Sequence, residues 1–139
     1  MNNEKDNVYD LVEDFYAHDE GWNTLLRQEY AEGFLRMEAW KGKKNSDLYR
    51  SWDNLTMLCL YLGSAETFLG DMNADDFIDC IAWCGRNISE FTPDYKNTQD
   101  FLETCDGLFK YLKGKNAISN DTVPATAAEI LLQEGKMNI

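Results

Sequence analysis

The sequence predicts an all-α protein, a single helical bundle of five to six mostly antiparallel helices. Three observations point there. Apolar residues recur at steps of three and four along nearly the whole chain. Only two prolines, Pro93 and Pro124, interrupt 139 residues, which favours helices over a turn-rich β fold. The polar breaks between apolar stripes are short, and short connections make neighbouring helices antiparallel.

Taken in order, Val8, Leu11, Val12, Phe15 and Tyr16 form a first amphipathic helix, broken at His18-Asp19-Glu20-Gly21. A longer helix then carries Trp22, Leu26, Tyr30, Gly33, Met37 and Trp40. Lys41-Gly42-Lys43-Lys44-Asn45 ends it: lysines suit the negative end of a helix dipole, and Gly42 suits a left-handed cap. Asn45 or Ser46 caps a third helix with Leu48, Trp52, Leu55, Cys59 and Leu62 on its stripe. Met57, Leu58, Leu60 and Tyr61 make that helix apolar on several sides, as expected at the centre of a bundle. Gly63 to Gly70 reads as its end and a connection. Asn73 caps a fourth helix, Asp75 and Asp76 fill its first turn, and Phe77, Ile81, Cys84, Ile88 and Phe91 form its buried stripe. A fifth begins between Pro93 and Asn97, carries Phe101, Cys105, Leu108 and Leu112, and ends at Gly114. Pro124 opens a last short helix over Ala125 to Gln133, which Gly135 stops. The organisation expected is one helical domain over residues 1–139, with an N-terminal hairpin, 8–41, docked on a bundle, 46–134.

The formal net charge is −12, from 13 basic and 25 acidic side chains. It divides as −7 over residues 1–40, +3 over 41–51, −9 over 52–109 and +1 over 110–139. Such a field repels phosphate backbones and anionic membranes over most of the surface and attracts a basic partner. The longest apolar run, Met57 to Leu62, is far short of the roughly 20 residues a spanning helix needs. The start, Met1-Asn2-Asn3-Glu4-Lys5-Asp6, has no basic-then-apolar signal. A cytoplasmic protein with reduced thiols is the expectation.

The motifs that might carry chemistry are incomplete. Asp71, Asn73, Asp75 and Asp79 match positions one, three, five and nine of a calcium loop. Asp76 stands where the loop needs glycine, and Ala82 where it needs a bidentate glutamate. A capped helix start accounts for the same residues. Cys80 and Cys84 are four apart on one helix, with Cys59 and Cys105 distant in sequence. Neither zinc spacing nor a C-x-x-C pair results, and buried free thiols are expected. His18, the single histidine, has Asp14 one turn before it but no nucleophile tied to it. No Glu-x-x-His pair, glycine-rich phosphate loop or catalytic set appears. Trp22, Trp40, Trp52 and Trp83 fall at helical spacing and are expected in the core. The basic residues Lys41, Lys43, Lys44 and Arg50, with Lys110, Lys113 and Lys115, are the candidate contact patch. They would serve nucleic acid only if both groups met on one face.

Two stretches resemble a known family. Asn54 to Leu62 followed by Phe68-Leu69-Gly70-Asp71-Met72-Asn73-Ala74-Asp75-Asp76-Phe77-Ile78, and later Asp100 to Leu112 with Asn116-Ala117-Ile118-Ser119, resemble the helical core-binding (SAM-like) domain of tyrosine recombinases and phage integrases. The resemblance covers roughly residues 47–120. It implies a helical fold and, for a nucleic-acid accessory protein, DNA contact. This chain lacks the family's catalytic domain, and its residues 52–109 are acidic where the family's DNA-facing surface is basic.

The expected function is therefore that of a noncatalytic protein-interaction or regulatory module with no cofactor and no bound metal, using an acidic helical surface or an exposed aromatic patch. Alternatives are a nucleic-acid accessory protein and an acidic DNA mimic. Homodimerisation is compatible with all three.

Overall fold

A computed structural model describes residues 7–134. It is an all-α bundle, and among the described residues it contains six α-helices and no strand. They are α1 (Val8–His18), α2 (Gln28–Trp40), α3 (Asn45–Ala65), α4 (Ala74–Asn87), α5 (Tyr95–Gly114) and α6 (Val123–Gln133). The stop expected at Gly135 lies outside the described residues.

Local chemistry sets most helix ends. The Asn7 side chain accepts from the Tyr9 N–H to start α1. At α4, Asn73 Oδ1 accepts from the Asp76 N–H and Asp76 Oδ2 accepts from the Asn73 N–H, both at 2.9 Å. This reciprocal cap satisfies two orphan donors. Asp94 caps α5 by accepting from the Asn97 N–H alone. Gly42 takes φ +105°, the left-handed turn expected after α2.

Four boundaries differ from the sequence reading. α3 already begins at Asn45 with Lys44 at its N-cap, so neither Asn45 nor Ser46 is the cap. Trp22 is not in α2: Glu20–Thr24 forms a separate 3₁₀ turn, which Asp19 caps through the Gly21 N–H, and α2 starts only at Gln28. α3 runs through Gly63 to Ala65, because glycine is tolerated inside a helix held by tertiary contacts. Glu66 at φ 56° makes the cap instead. α4 ends at Asn87, so Ile88 and Phe91 belong to the following loop. Phe91 nonetheless stays buried, edge-on to Phe101 of α5.

One buried cluster runs from Val8 of α1 to Leu131 of α6. The central helix expected from its many apolar faces is α3, which packs on α1, α2, α4 and α5. The α2–α5 contact is close because each helix offers a glycine to an aromatic ring of the other. A Cβ on Gly33 would lie 1.9 Å from the Tyr111 hydroxyl, and one on Gly107 would lie 3.1 Å from the Phe34 ring. The pairings 33 with 111 and 34 with 107 make α2 and α5 antiparallel. α3 and α5 instead run parallel, since Asn54 meets both Asp100 and Thr104 and Arg50 meets Asp100.

Tyr16 ties the N-terminal helix to the link between the 3₁₀ turn and α2. It is 2% exposed, and its hydroxyl donates to the Leu26 carbonyl at 2.5 Å. Phe15 stacks on Trp22 at 4.8 Å and meets Trp52 edge-on at 5.3 Å. Tyr16→Phe keeps the ring and strands a buried carbonyl, so urea unfolding is expected to show a loss of about 1–3 kcal/mol. An unchanged midpoint would mean that water replaces the hydroxyl.

Candidate functional site

A concavity with both charged and apolar walls lies where α3 faces the α4–α5 loop and the start of α5. It is a cleft of about 470 Å³. From α3 come Arg50, Asp53, Asn54, Thr56, Met57 and Leu60; from the loop, Ile88, Glu90 and Phe91; from α5, Asn97 and Asp100. The cleft exists because α4 ends early. Ile88 takes extended backbone, and Phe91 packs edge-on against Phe101 of the core.

A polar lattice fixes one wall. Asn54, 5% exposed, donates from Nδ2 to Asp100 Oδ2 and to Thr104 Oγ1, each at 3.0 Å. Thr104 in turn donates to the Asp100 carbonyl. Arg50 reaches Asp47 at 2.7 Å and Asp100 at 3.5 Å. The guanidinium is thus neutralised by two carboxylates of its own chain. The side-chain carboxylates of Asp53, on α3, and Glu90, in the loop, have no hydrogen bond or ion pair among the described residues. Partial burial pushes the Asp53 carboxyl above the usual carboxylate range. The floor between them is apolar: Met57 and Phe91 are buried, and Leu60 remains 39% exposed. This arrangement can hold a group that is cationic at one end and apolar along its stem.

The seven basic residues singled out from the sequence do not form one patch. Lys41, Lys43, Lys44 and Arg50 surround the α2–α3 turn, whereas Lys110, Lys113 and Lys115 lie at the end of α5. Since α2 and α5 are antiparallel, these groups sit at opposite ends of that pair. Most are also engaged within the chain. Lys43 lies 3.9 Å from Glu38, Lys110 2.7 Å from Asp106 and Lys113 3.9 Å from Asp121. Lys115 sits over the Tyr111 ring. Lys41 and Lys44 make no ion pair among the described residues.

The other candidates resolve individually. Asp76 of the calcium-like segment is committed to the α4 cap. Among the described residues, no three His, Cys, Asp or Glu side chains gather as a metal-binding set. All four cysteines are buried free thiols. Burial pushes Cys59 up to about 12, and Cys80 and Cys105 also well above an ordinary thiol. His18 ends α1 exposed and makes no hydrogen bond to Asp14. Trp52 is core and Trp22 and Trp83 pack against it, but Trp40 is 86% exposed, contrary to the core role its spacing suggested. Met37 and Ala39 of the same turn pack against the core, while Trp40 lies on the opposite, exposed side.

Sequence reasoning missed the cleft. Asp53, Glu90 and Leu60 come from separate segments, and each alone reads as an ordinary surface residue. The one available signal was Leu60, an apolar residue outside the α3 stripe. Comparison with family models, curated proteins and solved structures finds no match for this chain. The fold defines its class as an all-α helical bundle, and no helix among the described residues is long and apolar enough to cross a membrane.

Proposed function

We propose that this protein is a noncatalytic interaction module whose cleft between α3 and the α4–α5 loop receives a basic, amphipathic segment of a partner protein. The observation that carries this reading is the pair of unpartnered carboxylates, Asp53 and Glu90, beside an apolar floor. Lysine and arginine side chains have the matching form, an apolar stem with a charged head. The net charge of −12 steers such a partner toward the surface. Nucleic-acid contact has less support, because the basic groups are split between two ends and mostly paired with carboxylates. DNA mimicry would need carboxylates in phosphate-like rows, and those of the cleft are interleaved with apolar groups.

The test is fluorescence anisotropy with a labelled Lys/Leu amphipathic helix and its Glu/Leu counterpart. The basic peptide should bind and the acidic one should not. Asp53→Asn with Glu90→Gln should weaken binding at least about tenfold, or about 1.4 kcal/mol. Lowering the pH should weaken binding too. Protonation removes the negative charge, and because Asp53 is raised the loss begins at a higher pH than for an exposed aspartate. Equal binding of both peptides, or indifference to the double substitution, would sink the proposal.

A further inference from the structure

The α2–α3 turn is the chemical complement of the cleft. In a chain of net charge −12, residues 41–51 alone sum to +3 over a short stretch. The turn displays an indole, Trp40, that is 86% exposed, followed by Lys41, Lys43 and Lys44 around the left-handed Gly42. Lys41 and Lys44 have no carboxylate partner among the described residues, while Asp53 and Glu90 of the cleft have no cation. A fully solvated tryptophan leaves a large apolar surface uncovered, and exposed tryptophans are frequent anchors of interfaces. The indole is not seated in its own cleft: Trp40 is exposed and is not among the residues that line it.

We propose that the chain self-associates by placing the Trp40–Lys44 turn of one copy in the acidic cleft of a second copy. The inference rests on the reading of the cleft as a receptor for basic amphipathic segments, and names a second copy of this chain as an occupant. The indole covers Leu60 and Phe91, and the lysines approach Asp53 and Glu90. Arg50 on the rim does not repel them strongly, since Asp47 and Asp100 already neutralise it. One turn in one cleft buries less than the roughly 1,200 Å² typical of stable complexes. The association is therefore weak, and added salt weakens it further.

Sedimentation velocity across a concentration series tests this directly. The wild-type chain should rise above its 16.0 kDa monomer mass with concentration and return toward it in high salt. Trp40→Ser, which removes the turn's anchor, and Asp53→Asn/Glu90→Gln, which removes the cleft's charge, should each weaken association at least about tenfold. Trp40 is solvated, so its replacement should leave the circular dichroism spectrum and melting unchanged. The decisive arm mixes the two variants. Each retains the half that the other lacks, so the mixture should form a heterodimer that neither forms alone. A symmetric Trp40–Trp40 contact would not be rescued by mixing, and that result overturns the proposal. So does a wild-type chain that remains monomeric throughout. If it remains monomeric while the basic peptide binds, self-association falls and the cleft reading stands. If the peptide also fails to bind, both fall.

Discussion

Replacing Phe34 by alanine should lower the free energy of unfolding by about 3–5 kcal/mol. The ring is fully buried in the α2–α5 seam. It occupies the notch left by Gly107, where a Cβ would approach it to 3.1 Å, and it meets Tyr111 edge-on at 6.4 Å. Tyr111 in turn fills the notch of Gly33. Each ring therefore locks into the helix opposite. Removing one leaves a void bordered by backbone that has no side chain to swing in, so the cavity cost adds to the lost transfer free energy. A domain of this size has about 5–15 kcal/mol in all, so the variant should lose a large share of its stability. Melting should fall by about 10–20 °C. Urea and thermal denaturation followed by circular dichroism measure both. A loss below about 1 kcal/mol would mean that α2 and α5 slide together and collapse the notch.

The same seam shows what can be read from the sequence. Gly33 stands on the α2 stripe, yet nothing in periodicity says that a tyrosine 78 positions later needs its missing side chain. Helix starts with side-chain caps were legible, because Asn73 and Asp76 act on backbone groups within one turn. Boundaries set by tertiary contact were not. Trp22 keeps helical spacing with Leu26, but the Asp19 cap closes a 3₁₀ turn and leaves Trp22 stacked on Phe15. Phe91 keeps the spacing of α4 while sitting in a loop, since burial against Phe101 fixes its ring and not its backbone. Trp40 fails in the opposite sense: its spacing is right, but its ring is left uncovered. Spacing gives a face, and only the packing of the other helices decides whether that face is covered. The cleft is the extreme case, being formed where coverage of α3 stops.

Alkaline pH should destabilise the fold steeply, through the buried thiols. Cys59, Cys80, Cys84 and Cys105 lie in the core, and burial holds Cys59 at about 12 against 9.0 for a free thiol. Cys80 and Cys105 are raised in the same sense by desolvation, and further by neighbouring thiols. A raised acid keeps its proton in the folded state after the unfolded chain has lost it. Between about pH 9 and the folded value, the unfolded state then binds fewer protons, so stability falls as pH rises. Below about pH 8 the full contribution is present. Each such thiol contributes a slope of about 1.4 kcal/mol per pH unit. Cys80 and Cys105 act in the same direction, and Cys84, lowered by its hydrogen bond with Cys80, offsets part of the fall. Urea midpoints measured at intervals from about pH 7 to about pH 11 should stay flat and then drop. Cys105→Ala should shift the curve down by its packing cost and remove one proton's worth of slope. Alkylation supplies an independent reading: at pH 8 Cys59, Cys80 and Cys105 should resist a reagent that modifies them in denaturant, because the reactive thiolate is suppressed and shielded. Midpoints that stay flat through about pH 10.5, or thiols that react natively at the rate of free cysteine, would show that water reaches the core between α3, α4 and α5.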